Sequence, residues 1–327
     1  MKLKIFIAPI AFIGCFFYSG YSQSESTDKL QVFILAGQSN MDGRGDASQL
    51  TFEEINQLAK AKENILFAYN GSAPAPLDVT QIKQDFIRKK FRVDSIFGPE
   101  LFFGIEMSKR FPNKKFLFIK RSQGGTSLYG CWNPDWSVDK ATHVNEQNKP
   151  KLFFEMLDFN DSILSNYDSE SYELAGMLWV QGESDSGRPL PSDSYEMNLT
   201  NLIQQVRNHY NKNDLPFLML QVSRGKVAQA MRSVSLKLNS VSFIPQSYNK
   251  KDLDFLPQYD YMWNGKPAGH YNYEGMKKIG KLYFEEYTNT YLNNVTTLGY
   301  ALLDAPNPTI SWEKSMQQNI GAEVTFK

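Results

Sequence analysis

The stretch 31-QVFILAG-37 runs directly into 38-QSN-40. Its apolar residues are nearly continuous, as in a strand buried on both faces of a parallel sheet covered by helices. The chain leaves this strand through a glycine, an amide, a hydroxyl and a second amide. Gly, Asn and Ser all favour turns, which is one reading of the exit. The other is a nucleophile displayed at a strand end with hydrogen-bond donors around it.

Outward from this stretch, apolar runs of strand length recur at 64-NILFAY-69, 115-KFLFIK-120, 173-ELAGMLWV-180 and 217-FLMLQVS-223. Helical patterns alternate with them at 52-FEEINQLAKAKE-63, 99-PELFFGIEMSKRF-111, 151-KLFFEMLDFNDSIL-164 and 195-YEMNLTNLIQQVRNHY-210. A last helix is expected from about residue 273 to 288, with Met276, Ile279, Tyr283 and Tyr287 on one face. Strand–helix alternation of this kind predicts an α/β fold with a mainly parallel sheet and helices on both faces. The polar stretch 131-CWNPDWSVDKATHVNEQNKP-150 reads as a long connection between a strand and a helix. Long loops in compact domains are often functional.

The chain has 327 residues, with 35 basic and 35 acidic side chains and a formal net charge of zero. That balance offers no electrostatic case for nucleic acid or for an anionic membrane surface. The start, MKLKIFIAPIAFIGCFFYSGYSQS, has two lysines, an apolar stretch from Ile5 to Tyr18, and then small and polar residues. Residues 1–22 are therefore expected to be a signal peptide cleaved after Ser22, which predicts a secreted or periplasmic protein with no lasting membrane insertion. The apolar stretch falls short of the ~20 residues of a spanning helix, and Phe12-Ile13-Gly14 is a poor setting for lipidation at Cys15. Once the leader is gone, Cys131 has no partner for a disulfide.

In open α/β sheets the site lies beyond the carboxyl ends of the strands. Three strands end in polar, glycine-containing turns: Gly37-Gln38-Ser39-Asn40, 121-RSQGGT-126 and 181-QGESD-185. In a parallel sheet all three converge on one edge. A serine hydrolase needs a hydroxyl, a base, a group to orient the base, and donors for the oxyanion. The chain has three histidines. His143 reads as a solvated loop residue, and His209 as an imidazole packed on a helix beside Leu202 and Val206. His270, in 267-PAGHYNYEG-275, stands on a loop before the last helix and is the best candidate base.

Four blocks occur in order: Gly37-Gln38-Ser39-Asn40-Met41, Gly124-Gly125-Thr126, Trp179-Val180-Gln181-Gly182-Glu183-Ser184-Asp185, and His270-Tyr271-Asn272. The set resembles the sialate O-acetylesterase and acetylxylan esterase group, carbohydrate esterase family 6, within the SGNH hydrolases. The resemblance spans roughly residues 30–288. It implies a flavodoxin-like three-layer α/β/α domain over residues 28–290 that uses neither metal nor organic cofactor. Residues 291–327 form an unassigned C-terminal extension. The resemblance makes Ser39 the nucleophile and His270 the general base, with an oxyanion hole from the backbone N–H groups of Ser39 and Gly125 and the side-chain amide of Gln181.

One position departs from the superfamily pattern. The Asp expected three residues before the histidine is Pro267, which has no acceptor side chain. Glu183 is the first choice for the orienting acid, with Asp185, Asp254 and Asp260 in reserve. A Ser–His dyad held by a backbone carbonyl is the other arrangement. Asn40, Arg44, Gly124 and Trp132 are expected to contact substrate, with Glu100 and Trp136 as further support. The expected activity is removal of acetyl groups from a polysaccharide or sialoside through an acyl-serine. Selectivity would lie in the loops 126–150 and 223–265. Another SGNH esterase or lipase, or an inactive carbohydrate-binding homologue, are the alternatives.

Overall fold

The computed structural model describes residues 29–293; the expected signal peptide and nearly all of the expected C-terminal extension lie outside them. The central strand β1 (Leu30–Gly37) is wholly buried from Val32 to Ala36. It is flanked in chain order by β2 (Ile65–Tyr69), β3 (Phe116–Ser122), β4 (Tyr172–Val180), β5 (Phe217–Leu220) and β6 (Val241–Ile244). Across the sheet these run β6–β5–β4–β1–β3–β2, all parallel, with a short antiparallel strand, Ala75–Pro76, beyond β2.

Six longer helices cover the two faces. Helices α1 (Phe52–Ala61), α2 (Pro99–Arg110) and α6 (Tyr273–Tyr287) pack together. On that face the Phe33 ring meets Phe103 and Tyr287 edge-on, at 5.0 and 4.9 Å. Helices α3 (Leu152–Leu164), α4 (Tyr195–His209) and α5 (Lys226–Lys237) cover the other face. The α/β architecture with a mainly parallel sheet is therefore as expected. The interval 223–265 is not the open loop anticipated, because it carries α5 and β6. The stretch 131–150 likewise holds a short helix, Val138–His143.

The register places the site. Gly37 is level with Ser122 on β3 and with Val180 on β4, so the three polar turns emerge side by side. β1 connects onward to β2 on one side of the sheet, and β4 to β5 on the other. The crevice between their ends is thus a topological switch point, where ligands bind in such folds. Gly37 has φ +151°, and a Cβ there would lie 2.1 Å from the Val180 carbonyl oxygen. Only glycine lets the chain turn here.

The last helix brings the fourth block to the same edge. Asn272 caps α6, its side chain accepting from the Gly275 N–H. The helix is fastened by Lys277 to Glu54 at 2.6 Å and by a short Tyr273–Glu54 hydrogen bond. Tyr283 reaches through to the sheet, donating to the Trp179 carbonyl at 2.7 Å. A small antiparallel sheet (Gly45–Asp46, Thr80–Gln81 and Ser95–Phe97) and the short helix Asp85–Phe91 wall off one side of the crevice.

Candidate active site

Ser39 opens a helical turn, Ser39–Asp42, directly after Gln38. Its Oγ lies 2.8 Å from His270 Nε2, and both residues line a cavity of about 1570 Å³. The two residues are 231 positions apart in sequence and meet only through the fold. His270 has φ +68°, in the left-handed region, and His is among the residues that enter it most readily. Its ring meets Phe91 edge-on at 5.1 Å. Burial, then the positive charges of Arg44 and Lys90, lower its pKa to about 4. The imidazole is therefore neutral, and able to take a proton, well below neutral pH.

Gln38, Ser39, Asn40, Arg44, Gly124, Gly125, Glu183 and His270 all line this cavity. Gly124 abuts the nucleophile: a Cβ on it would stand 3.3 Å from Ser39 Cβ. Arg44 is 5% exposed, ion-paired with Asp42 at 3.3 Å, and bonded to the Gly43 carbonyl. Asp42 also takes the Tyr69 hydroxyl at 3.3 Å.

Three residues stand otherwise than expected. Glu183 does not meet the imidazole: its Oε1 accepts from Asn40 Nδ2 at 2.6 Å, and its Oε2 is buried without a partner. His270 Nδ1 instead faces the Ala268 carbonyl at 3.4 Å. Gln181 is fully buried, and its NH₂ is committed to Asp185 Oδ2 (2.7 Å), the Thr126 carbonyl (3.0 Å) and Gln38 Oε1 (3.3 Å). An amide held this way ties the strand-end turns together, and Gln181 is not among the residues that line the cavity. Trp132 is also fully buried, its Nε1 bonded to Thr126 Oγ1 at 3.1 Å and its ring edge-on to Trp179. It anchors its loop and offers no face to a sugar. Trp136 is half-buried under Lys151.

The reserve acid Asp185 belongs to the same scaffold. It accepts from the Leu128 and Tyr129 N–H groups, at 2.8 and 3.0 Å, and burial raises its pKa to about 7. His143 is exposed. His209 lies at an exposed helix edge rather than packed, with Nε2 2.8 Å from Asp161.

Beneath the nucleophile turn lies a charge pair that motif reading does not assign. Lys120 and Glu100, 0% and 1% exposed, pair at 2.8 Å. Lys120 also donates to the Met41 and Asp42 carbonyls at the end of the Ser39 turn. Its signal is a lysine directly after the apolar run Phe116–Ile119, because a buried charge needs a partner. Lys90 and Phe91, on the cavity wall, carry no comparable sequence signal.

The family model for sialic acid-specific acetylesterases, described as carbohydrate esterases, matches residues 29–289. The chain belongs to this carbohydrate esterase family. A curated relative, the probable carbohydrate esterase At4g34215 of Arabidopsis thaliana, is 24% identical over 219 residues, covering 64% of this chain and 77% of its own length. The X-ray structure of that Arabidopsis protein matches with a TM-score of 0.55 at 20% identity, over 80% of this chain and 99% of the other. The crystal structure of NanS matches with a TM-score of 0.55 at 12% identity, over 81% and 98%. At these identities the two structures speak for the fold alone, an α/β architecture with a mainly parallel sheet. This esterase chain thus brings Ser39, His270 and the Gly124–Gly125 turn together in one crevice.

Proposed function

We propose that the chain is a carbohydrate O-acetylesterase working through an acetyl-serine. The observation that carries this reading is the 2.8 Å approach of Ser39 Oγ to His270 Nε2 in the cavity lining. Ser39 attacks the ester carbonyl while His270 takes its proton. The proton then passes to the departing sugar oxygen. Water, deprotonated by the same imidazole, releases acetate and restores the serine.

The developing oxyanion is held by the Ser39 N–H, at the first position of its helical turn, and by the Gly125 N–H. Gln38 supplies the side-chain amide in place of Gln181. Its Oε1 is occupied by Gln181 Nε2 and the Ser184 N–H, which leaves its NH₂ for the ligand. One such donor is worth about 2.7–4 kcal/mol in the barrier. Among the described residues no carboxylate bonds to His270 Nδ1, and the Ala268 carbonyl fixes the tautomer.

The cavity exceeds the ~300–1,000 Å³ of most small-ligand pockets, which suits a glycan carrying the acetyl group. Its wall also has an apolar side, with Ile82, Phe86, Ile87 and Phe91; a lipase-like enzyme would use such a wall for an acyl chain. Acetate release across acetylated xylan and O-acetylated sialosides, beside p-nitrophenyl esters of rising chain length, decides between them. The expected result is activity confined to acetyl esters and abolished in Ser39→Ala. Faster turnover of long-chain esters would favour the lipase, and no turnover at all the binding protein.

Residues 1–22 form the export signal in this reading, so the enzyme acts outside the cytoplasm. Sequencing the amino terminus of exported protein is expected to find it starting after Ser22.

A further inference from the structure

We propose that Glu183 is a positioning residue acting through Asn40, and that the Glu183–Asn40 pair holds the peptide unit after His270 and thereby the base itself. The proposal rests on the esterase reading above for its catalytic consequence, and on the bonded chain for its structural one.

Asn40 is 8% exposed and bonded at both ends of its amide. Its Nδ2 donates to Glu183 Oε1 at 2.6 Å, and its Oδ1 accepts from the Tyr271 N–H at 3.4 Å. A carboxyl on one side and a backbone donor on the other leave one orientation for that amide. The peptide between His270 and Tyr271 is then pinned from both edges, since the His270 carbonyl accepts from the Tyr259 N–H at 3.0 Å. Pinning matters here because Gly269 and His270 are both left-handed, with φ +62° and +68°. A non-glycine residue in that region persists where its surroundings over-determine it. Rotation of this one peptide would carry the imidazole away from Ser39.

Glu183 is suited to the role and unsuited to that of a charged orienting acid. Nothing cationic pairs with it among the described residues. Burial shifts its carboxyl upward, toward the neutral form. Asn40 and the backbone N–H groups of Gly182 and Glu183 bond toward the carboxyl, and the tyrosines 195, 248, 271 and 283 feel its charge. An acceptor oxygen, charged or not, is all that Asn40 Nδ2 requires.

The test compares Glu183→Gln, Glu183→Ala, Asn40→Ala and the Glu183→Ala/Asn40→Ala double variant. Glu183→Gln keeps the acceptor and is expected to retain kcat within about threefold. Asn40→Ala frees the peptide and is expected to lower kcat by about 10²-fold, the scale of a misplacement near 1 Å, with KM little changed. The double variant is expected to be no worse than Asn40→Ala, because both act on one element. A loss near 10⁴-fold in Glu183→Gln, the scale seen when a triad carboxylate becomes an amide, would overturn the proposal, as would full kcat in Asn40→Ala.

An NMR titration of the His270 ring gives a readout independent of turnover. It is expected near the wild-type value in Glu183→Gln and nearer 6.5 in Asn40→Ala. An unmoved titration in Asn40→Ala would also overturn the proposal. If wild type releases no acetate, the esterase reading fails, while the titration still judges the positioning role.

Discussion

Lys90→Gln is the perturbation whose outcome follows most directly from the electrostatics of the site. His270 is held at a pKa of about 4 by burial first and by the Arg44 and Lys90 charges next; an ordinary histidine titrates near 6.5. At pH 5.5 an imidazole of pKa 4 is about 97% neutral, and one of pKa 6.5 about 9%. Initial rates on p-nitrophenyl acetate from pH 3.5 to 8 give kcat/KM, whose acid limb reports the base of the free enzyme. Wild type is expected to hold nearly its full plateau at pH 5.5 and to fall through pH 4. Removing the Lys90 charge relieves one of the causes, so the limb should move upward in Lys90→Gln while the plateau stays. The linkage has a defined sign. Between about pH 6.5 and 4 the folded protein binds fewer protons than the unfolded chain at this residue, so its contribution to stability declines as pH falls through that window. A wild-type limb near 6.5, or a downward move in the variant, would refute the reasoning.

Other expectations follow from single contacts. Gly124→Ala places a methyl 3.3 Å from Ser39 Cβ; kcat should drop by about 10²-fold, with thermal unfolding nearly unchanged. Lys120→Met strands Glu100 in the core and should cost about 3–5 kcal/mol in urea unfolding, part of which returns when Glu100→Gln is added. Trp132→Phe loses the bond to Thr126, a matter of about 1 kcal/mol; KM for an acetylated glycan should not move, because the ring never faces the cavity. A raised KM there would mean that Trp132 touches sugar.

The parts of this protein that sequence reveals are those where one physical demand dominates. Strands β1, β3 and β4 read clearly because burial on both faces forces continuous apolar runs. Gly37 closes β1 and Ser39 opens a helical turn, whereas His270 is legible only as the histidine on the loop before α6. β6 offers only Val241-Ser242-Phe243-Ile244, too short for a period to emerge. The α5 stretch has Val227, Ala230, Met231 and Val234 at helical spacing, but alanine and polar neighbours dilute the contrast. The wall formed by residues 75–96 consists of two- and three-residue strands and a seven-residue helix, none long enough to show periodicity. Glu183 and Gln181 illustrate a different limit. Motif order places them at the right strand end, yet their directions depend on Asn40 and Gln38, each 143 positions away.

Covalent capture at Ser39 tests the central claim most directly. Wild-type protein mixed with p-nitrophenyl acetate, quenched in acid within one turnover and digested, is expected to carry one acetyl group on the peptide containing Ser39, and Ser39→Ala none. Acetate release by wild type with that serine never acetylated, or undiminished release by Ser39→Ala, would contradict the account.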